Sequence, residues 1–139
     1  MRMIVRVLMA AGLCCAAAPA WAHHSFAVEY DKEKPVEGTG VLSKVEWTNP
    51  HMRIYVDCTD DKGVVTTWNL ELGSPNSVLR RGWTKNSLLA GTEIMVEGFQ
   101  AIDGTNKANG SVITTTDGKK LFVGSSAGEP GAAPGSTAK

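Results

Sequence analysis

The chain has 139 residues, with 14 basic and 14 acidic side chains and only three histidines. A balanced charge lacks the basic stripe that displaces counterions from phosphates, which argues against a nucleic-acid partner. Three cysteines, two of them adjacent at Cys14 and Cys15, do not make a disulfide framework.

The first 22 residues have the three parts of a secretory signal. Arg2 and Arg6 form a positive start, and Val7 to Ala17 is apolar and small. That run is shorter than the roughly 20 residues a membrane-spanning helix needs. Ala20-Trp21-Ala22 fits the cleavage pattern and predicts a mature chain beginning His23-His24. Ala18-Pro19-Ala20 fits as well and gives Trp21 as the competing start. Leu13 is too large for a lipobox ahead of Cys14, so lipoprotein processing is not expected. Cleavage before His23 leaves 117 residues with a net charge of −2, enough for one domain with one core. No second apolar run could cross a membrane as a helix. The expected location is the bacterial periplasm or exterior.

In chain order, His23 to Lys34 reads as an extended arm, with Phe26, Val28 and Tyr30 alternating. Asp31 to Pro35 is charged and ends in proline, which predicts a turn or edge. Val36 to Trp47 is the first long strand, with Thr39, Val41, Ser43, Val45 and Trp47 sharing one face. Gly38 and Gly40 suggest a bend or bulge near its start. Thr48-Asn49-Pro50 breaks the strand. His51 to Cys58 is the second strand, with Met52, Ile54, Val56 and Cys58 inward and His51, Arg53, Tyr55 and Asp57 on the other face. The remaining cysteine, Cys58, reads as a small buried hydrophobe, with a metal-binding or intermolecular thiol as the alternative.

Asp60-Asp61-Lys62-Gly63 is a turn; it lacks the glutamate spacing of a calcium loop. Val64 to Leu72 returns as the third strand, with Trp68, Leu70 and Leu72 inward and Thr67, Asn69 and Glu71 on a solvated face. Ser74 and Pro75 then open a short helix as cap and first position. Val78, Leu79 and Trp83 supply its apolar side, and Arg80-Arg81 face solvent. Thr92 to Ala101 and Ala108 to Thr115 are the fourth and fifth strands. Asp117-Gly118 turns the chain into Lys120 to Val123. Gly124 to Lys139 is Gly, Ala, Ser and Pro, too poor in apolar bulk to order itself, so residues 126–139 are expected to form a disordered tail. Three strands, a short helix and two strands is the element order of an OB-like five-stranded β-barrel over residues 23–125. A small open β-sandwich is the alternative.

The histidines carry the sharpest chemical suggestion. Copper(II) favours nitrogen ligands in a tetragonal or T-shaped set. An N-terminal histidine offers its α-amine and ring Nδ1 in one chelate, and one more imidazole completes a three-nitrogen brace. His23 would supply the chelate and His51 the third nitrogen, with His24 as substitute ligand or supporting group. A start at Trp21 would instead place His23 third, itself a chelating position for copper(II) or nickel(II). The same histidines also suit a solvated terminus and a strand-entry turn. Glu71, Asp57 and Glu46 are candidate acids, but no histidine, serine or cysteine is placed by sequence to work with them, so the chain reads as a binder rather than an enzyme. A copper-dependent oxidase would need an open substrate surface that no segment indicates. The second functional class is a non-metal envelope module, using Arg53, Tyr55 and Glu71 on the face of strands two and three for a glycan or protein partner.

Four segments together resemble an uncharacterised family of small exported bacterial proteins. These are His23-His24-Ser25-Phe26, Val45 to His51 (VEWTNPH), Leu70 to Asn76 (LELGSPN) and Arg80-Arg81-Gly82-Trp83. The resemblance runs from His23 to about Ser125. It implies an envelope location and a compact β-rich fold, and no catalytic residues. Met52 and Arg53 follow His51 in place of a small residue and an aromatic, which sets the rim beside His51 apart.

Overall fold

The computed structural model describes residues 26–124. Residues 1–25, which include the expected signal segment, His23 and His24, and the expected 126–139 tail lie outside those residues. The described chain runs α1 (Phe26–Glu29), β1 (Tyr30–Glu46), β2 (Arg53–Thr59), β3 (Val65–Glu71), α2 (Pro75–Arg80), β4 (Glu93–Ala101), β5 (Lys107–Thr115) and β6 (Lys120–Phe122).

The fold is mostly β. The strands form one sheet in the order β3-β2-β1-β4-β5-β6, and a further parallel pairing of β3 with β5 closes five of them into a ring. This ring, with a short helix between β3 and β4, agrees with the all-β class expected from the sequence. β1 makes it possible by serving two partners. Its N-terminal part pairs with β4 and its C-terminal part with β2, both antiparallel, and they meet at Val41. Gly40 sits at that crossing. A side chain there would put Cβ 2.6 Å from the Asp57 carbonyl oxygen, so only glycine lets β1 and β2 approach this closely.

Alternation decides what fills the ring. Met52, just ahead of β2, and Ile54 and Val56 within it meet Leu70 and Leu72, and all are essentially inaccessible to solvent. Ile94, Val96, Ala108 and Ile113 complete the strand contribution, and Leu121 and Val123 add the β6 segment. Cys58 and Trp68 pack against this core from partly buried positions. α2 begins as its sequence dictates: the Ser74 hydroxyl accepts from the Ser77 N–H at 3.3 Å, and Pro75 opens the first turn. Val78 and Trp83 enter the core, while Leu79 stays on the surface. The Arg81 guanidinium donates to the Gly124 carbonyl at 2.8 Å, tying α2 to the chain after β6.

Three expectations are corrected. Residues 26–29 form a helical turn, not an extended arm, so the apolar period is four rather than two. Phe26 and Tyr30 are buried together and Val28 is 70% exposed. Asp31 to Pro35, expected as a turn or edge, runs inside the 17-residue β1, with a register irregularity between Tyr30 and Pro35. In β1 itself, a bulge between Leu42 and Lys44 shifts the alternation. Leu42 is fully buried, Val41 is largely exposed, and Val45 returns to the core side.

Candidate functional site

Strand register assembles a polar row on the outer face of the ring. The Asp60 turn sets the β2–β3 hairpin. Asp60 Oδ1 accepts from the N–H groups of Lys62 and Val64, Gly63 takes φ of 80°, and Thr59 pairs with Val65. From there pairing is regular, so Arg53 falls opposite Glu71. Across the parallel closure Glu71 pairs with Asn109, and Asn109 pairs with Phe99 of β4. Arg53, Glu71, Asn109 and Phe99 thus lie side by side on four strands, opposite the core face.

The N-terminal segment covers this row. Phe26, Tyr30 and Ala101 form a second buried cluster with Phe99 packed against it. The Phe26 ring is 5.6 Å from Tyr30 and 5.8 Å, edge-on, from Phe99, distances at which aromatic pairs attract. Beneath them Glu71 is only 7% exposed, and Asn109 is buried as well. The solvated face expected for Glu71 is therefore corrected. The signal missed was the arm, whose aromatics four residues apart remove the face from water.

Glu71 is approached by three groups. His51 Nδ1 lies 3.0 Å from Oε1, Arg53 Nη2 donates to Oε2 at 2.7 Å, and the buried Tyr30 phenol is close enough to feel the charge of the same carboxylate. Arg53 Nη1 also donates to Asn69 Oδ1 at 3.3 Å, so the guanidinium is fixed by two neighbours on β3. Burial first, and then the adjacent carboxylate, push the Tyr30 phenol far above its ordinary range. A buried carboxylate is tolerated where charged and neutral donors converge on it in this way. The expectation that no histidine works with Glu71 is corrected: His51, just ahead of β2, is its direct partner. The cause was legible in part, since the regular hairpin register puts His51 diagonal to Glu71 on one face.

His51 enters β2 after a cis Asn49–Pro50 bond, with the Thr48 hydroxyl donating to its carbonyl. Its side chain is 38% exposed. A neutral imidazole that donates from Nδ1 to a carboxylate has its lone pair on Nε2, the tautomer that a metal ligand or a general base requires. Among the described residues, no group of three or more His, Cys, Asp or Glu side chains is arranged to hold a metal ion. His23 and His24 lie outside the described residues.

The other sequence candidates separate. Arg53 and Glu71 join His51, but Tyr55 does not. Its ring carries the Lys44 ammonium at 5.2 Å, and Lys44 also pairs with Glu46 at 2.5 Å. Glu46 is held below its usual range by that lysine. Asp57 accepts from Thr67 across the hairpin and takes no part in the row. Cys58 is unpaired, and burial raises its thiol above the ordinary value, as suits a packing residue. Residues that sequence reasoning did not single out are Tyr30, Asn109 and the margins of a cleft of about 370 Å³ beside Arg53 and Tyr30.

Among the described residues, no helix is long and apolar enough to cross a membrane. Comparison with known proteins gave no match among curated proteins or solved structures. A family described as "Family of unknown function (DUF6152)" matches residues 10–111, most of the chain and all of the row from Tyr30 to Asn109. The chain belongs to this family of unknown function.

Proposed function

We propose that the protein is an exported copper-binding protein of the bacterial envelope. The α-amine and ring of a mature N-terminal His23 would chelate copper(II), and His51 Nε2 would supply the third nitrogen. One observation carries the reading: Glu71 lies 3.0 Å from His51 Nδ1 and beside the buried Tyr30 phenol, so the segment that follows the histidine pair packs against the group that orients His51. His23 precedes buried Phe26 by three residues, a reach of about 10 Å when extended. The carboxylate–imidazole pair supports the same reading, because such a partner fixes the ring and raises its basicity toward a metal. Export itself rests on residues 1–22 and their cleavage pattern. His24 stands as substitute ligand.

The α-amine ionises at a pKa of about 7.7 to 8.0, so copper must displace its proton and binding weakens in acid. A non-metal envelope module is the second reading. The cleft beside Arg53 supports it, whereas the capped ring of Tyr55 weakens a stacking role for the original face.

The test uses protein exported and processed by a bacterial host. Intact mass fixes the mature start, and one equivalent of copper(II) is followed by EPR. The expected result is a His23 start with one nitrogen-rich signal that His51→Ala abolishes while the unfolding transition survives. Weak, heterogeneous signals that His51→Ala leaves unchanged would overturn the copper reading.

A further inference from the structure

The β1–β2 ladder ends at Val41 and Asp57, although β1 continues along β4 back to Pro35 and β2 continues along β3 to Thr59. Between the parted strands lies a cavity of about 320 Å³, which shares no lining residue with the cleft beside Arg53. Two buried core residues, Leu70 and Val96, line it. Val36 of β1, Cys58 of β2 and Trp68 of β3 line it from half-buried positions and pack against the same core. Core-side groups on three strands are thus left partly uncovered where the ring opens. Gly38, also in the lining, keeps this space open. Its φ lies outside the left-handed region, and an added Cβ would meet only Cys58 Sγ, at an ordinary contact distance of 3.7 Å. Neither backbone conformation nor close approach demands glycine at 38, in contrast to Gly40.

We infer that this cavity binds a small uncharged aromatic molecule of one or two rings. Its size suits one: small-molecule sites run from about 300 to 1,000 Å³, and an apolar cavity of about 150 Å³ already accepts benzene. The absence of charge follows from the walls. Among the described residues the lining carries no cationic side chain, and its one carboxylate, Glu37, is exposed and pairs in register with Glu97 of β4. A fatty acid or other anion would find no counter-charge there and would lose its hydration. Aromatic character follows from Trp68, whose ring offers a partner for offset or edge-on contact, with Val36, Leu70, Val96 and the small apolar Cys58 around it. Among the described residues, no lining side chain makes an ion pair or hydrogen bond that the ligand would have to displace. This inference goes beyond the copper reading and shares no residue with it, since the cavity faces the core and His51 and Glu71 belong to the outer row.

The experiment is an NMR titration of the isotope-labelled, exported and processed protein, kept metal-free with a chelator. The probe is 2-naphthol at neutral pH, compared with the anion 2-naphthoate and the flexible alcohol 1-octanol. The Trp68 indole N–H and the backbone signals of Val36 and Gly38 should shift with 2-naphthol. The two comparison molecules should bind more weakly by roughly tenfold or more. Gly38→Leu should fill the cavity and abolish binding while thermal unfolding stays cooperative. Gly38→Ala adds one methyl at contact distance from Cys58 and should weaken 2-naphthol by roughly threefold or more, which keeps the test decisive if the leucine disturbs folding. His51→Ala should leave binding unchanged. Absence of these shifts at about 1 mM 2-naphthol, undiminished binding in Gly38→Ala, or equal binding of 2-naphthoate or 1-octanol overturns the inference. Because the titration is metal-free, its outcome is independent of the copper test.

Discussion

Glu71 gathers neighbours from two strands and the residues just ahead of one of them: Tyr30 of β1, Arg53 of β2 and His51 immediately before β2. The consequence for Tyr30 can be measured. An unfolded phenol ionises near pH 10, whereas in the folded protein burial and the carboxylate keep Tyr30 protonated well beyond that. Above about pH 10 the unfolded chain therefore holds fewer protons than the native one. Stability contributed by Tyr30 is complete below that pH and falls as pH rises, by up to about 1.4 kcal/mol per pH unit. Thermal unfolding between about pH 9 and 11 should show this slope in the wild type, with one proton less in Tyr30→Phe. The chain has two tyrosines, so phenolate absorbance should resolve one late titration that disappears in the same variant. An ordinary titration of Tyr30 would mean that its phenol is not buried in the folded protein.

Among the elements, β4 and β5 cross closely at Gly98. A Cβ there would sit 2.2 Å from the Asn109 carbonyl oxygen, and the register between the strands shifts at this point. The obstacle is backbone, which cannot rotate away as a side chain can. Gly98→Ala should cost about 1–3 kcal/mol in urea unfolding, the usual scale of overpacking, even though it adds one methyl. It should also disturb Asn109 and the covered row, seen as chemical-shift changes at Tyr30 and Phe99. The α1 turn illustrates the complementary case of an element defined by what it covers. Four residues cannot hold a helix in isolation. Phe26 and Tyr30 stabilise this one by burying their rings against Phe99 and Ala101.

For the molecule as a whole, closure of the ring rests on few contacts. β3 and β5 pair over only three residues, Asn69 to Glu71 with Lys107 to Asn109. The segment after β5 reinforces the same region. Val123 bonds Gly73 and Ser111 through its backbone, and its side chain is fully buried beside that of Leu121. A chain ending at Thr115 should therefore lose the cooperative unfolding transition and bind a hydrophobic dye, since Leu72, Ile113 and Trp83 would lose their cover. Retention of a sharp transition in circular dichroism would show that the five-strand ring is stable without β6.

Local patterns in the chain determined the strands, the hairpin turns and the capped helix. Met52, Ile54 and Val56 alternate with polar neighbours, Asp60 and Gly63 have turn chemistry, and Ser74-Pro75 signals a helix start; each acts over a few residues. The resemblance carried by VEWTNPH and LELGSPN likewise lay in contiguous residues and agrees with the family match. The candidate site was only half legible. The hairpin register placed Arg53 beside Glu71, but Tyr30 is 41 residues away in sequence, and a turn at Phe26 rather than an extended arm was needed to bring it there. The bulge at Ser43 escaped for the same reason, because it answers to β1 leaving β4 for β2 rather than to its own neighbours. Burial of Glu71 and its approach by Tyr30 depend on which distant segment lies across an otherwise solvated face. Periodicity reports which side of a strand is apolar; only tertiary packing decides what covers the other side.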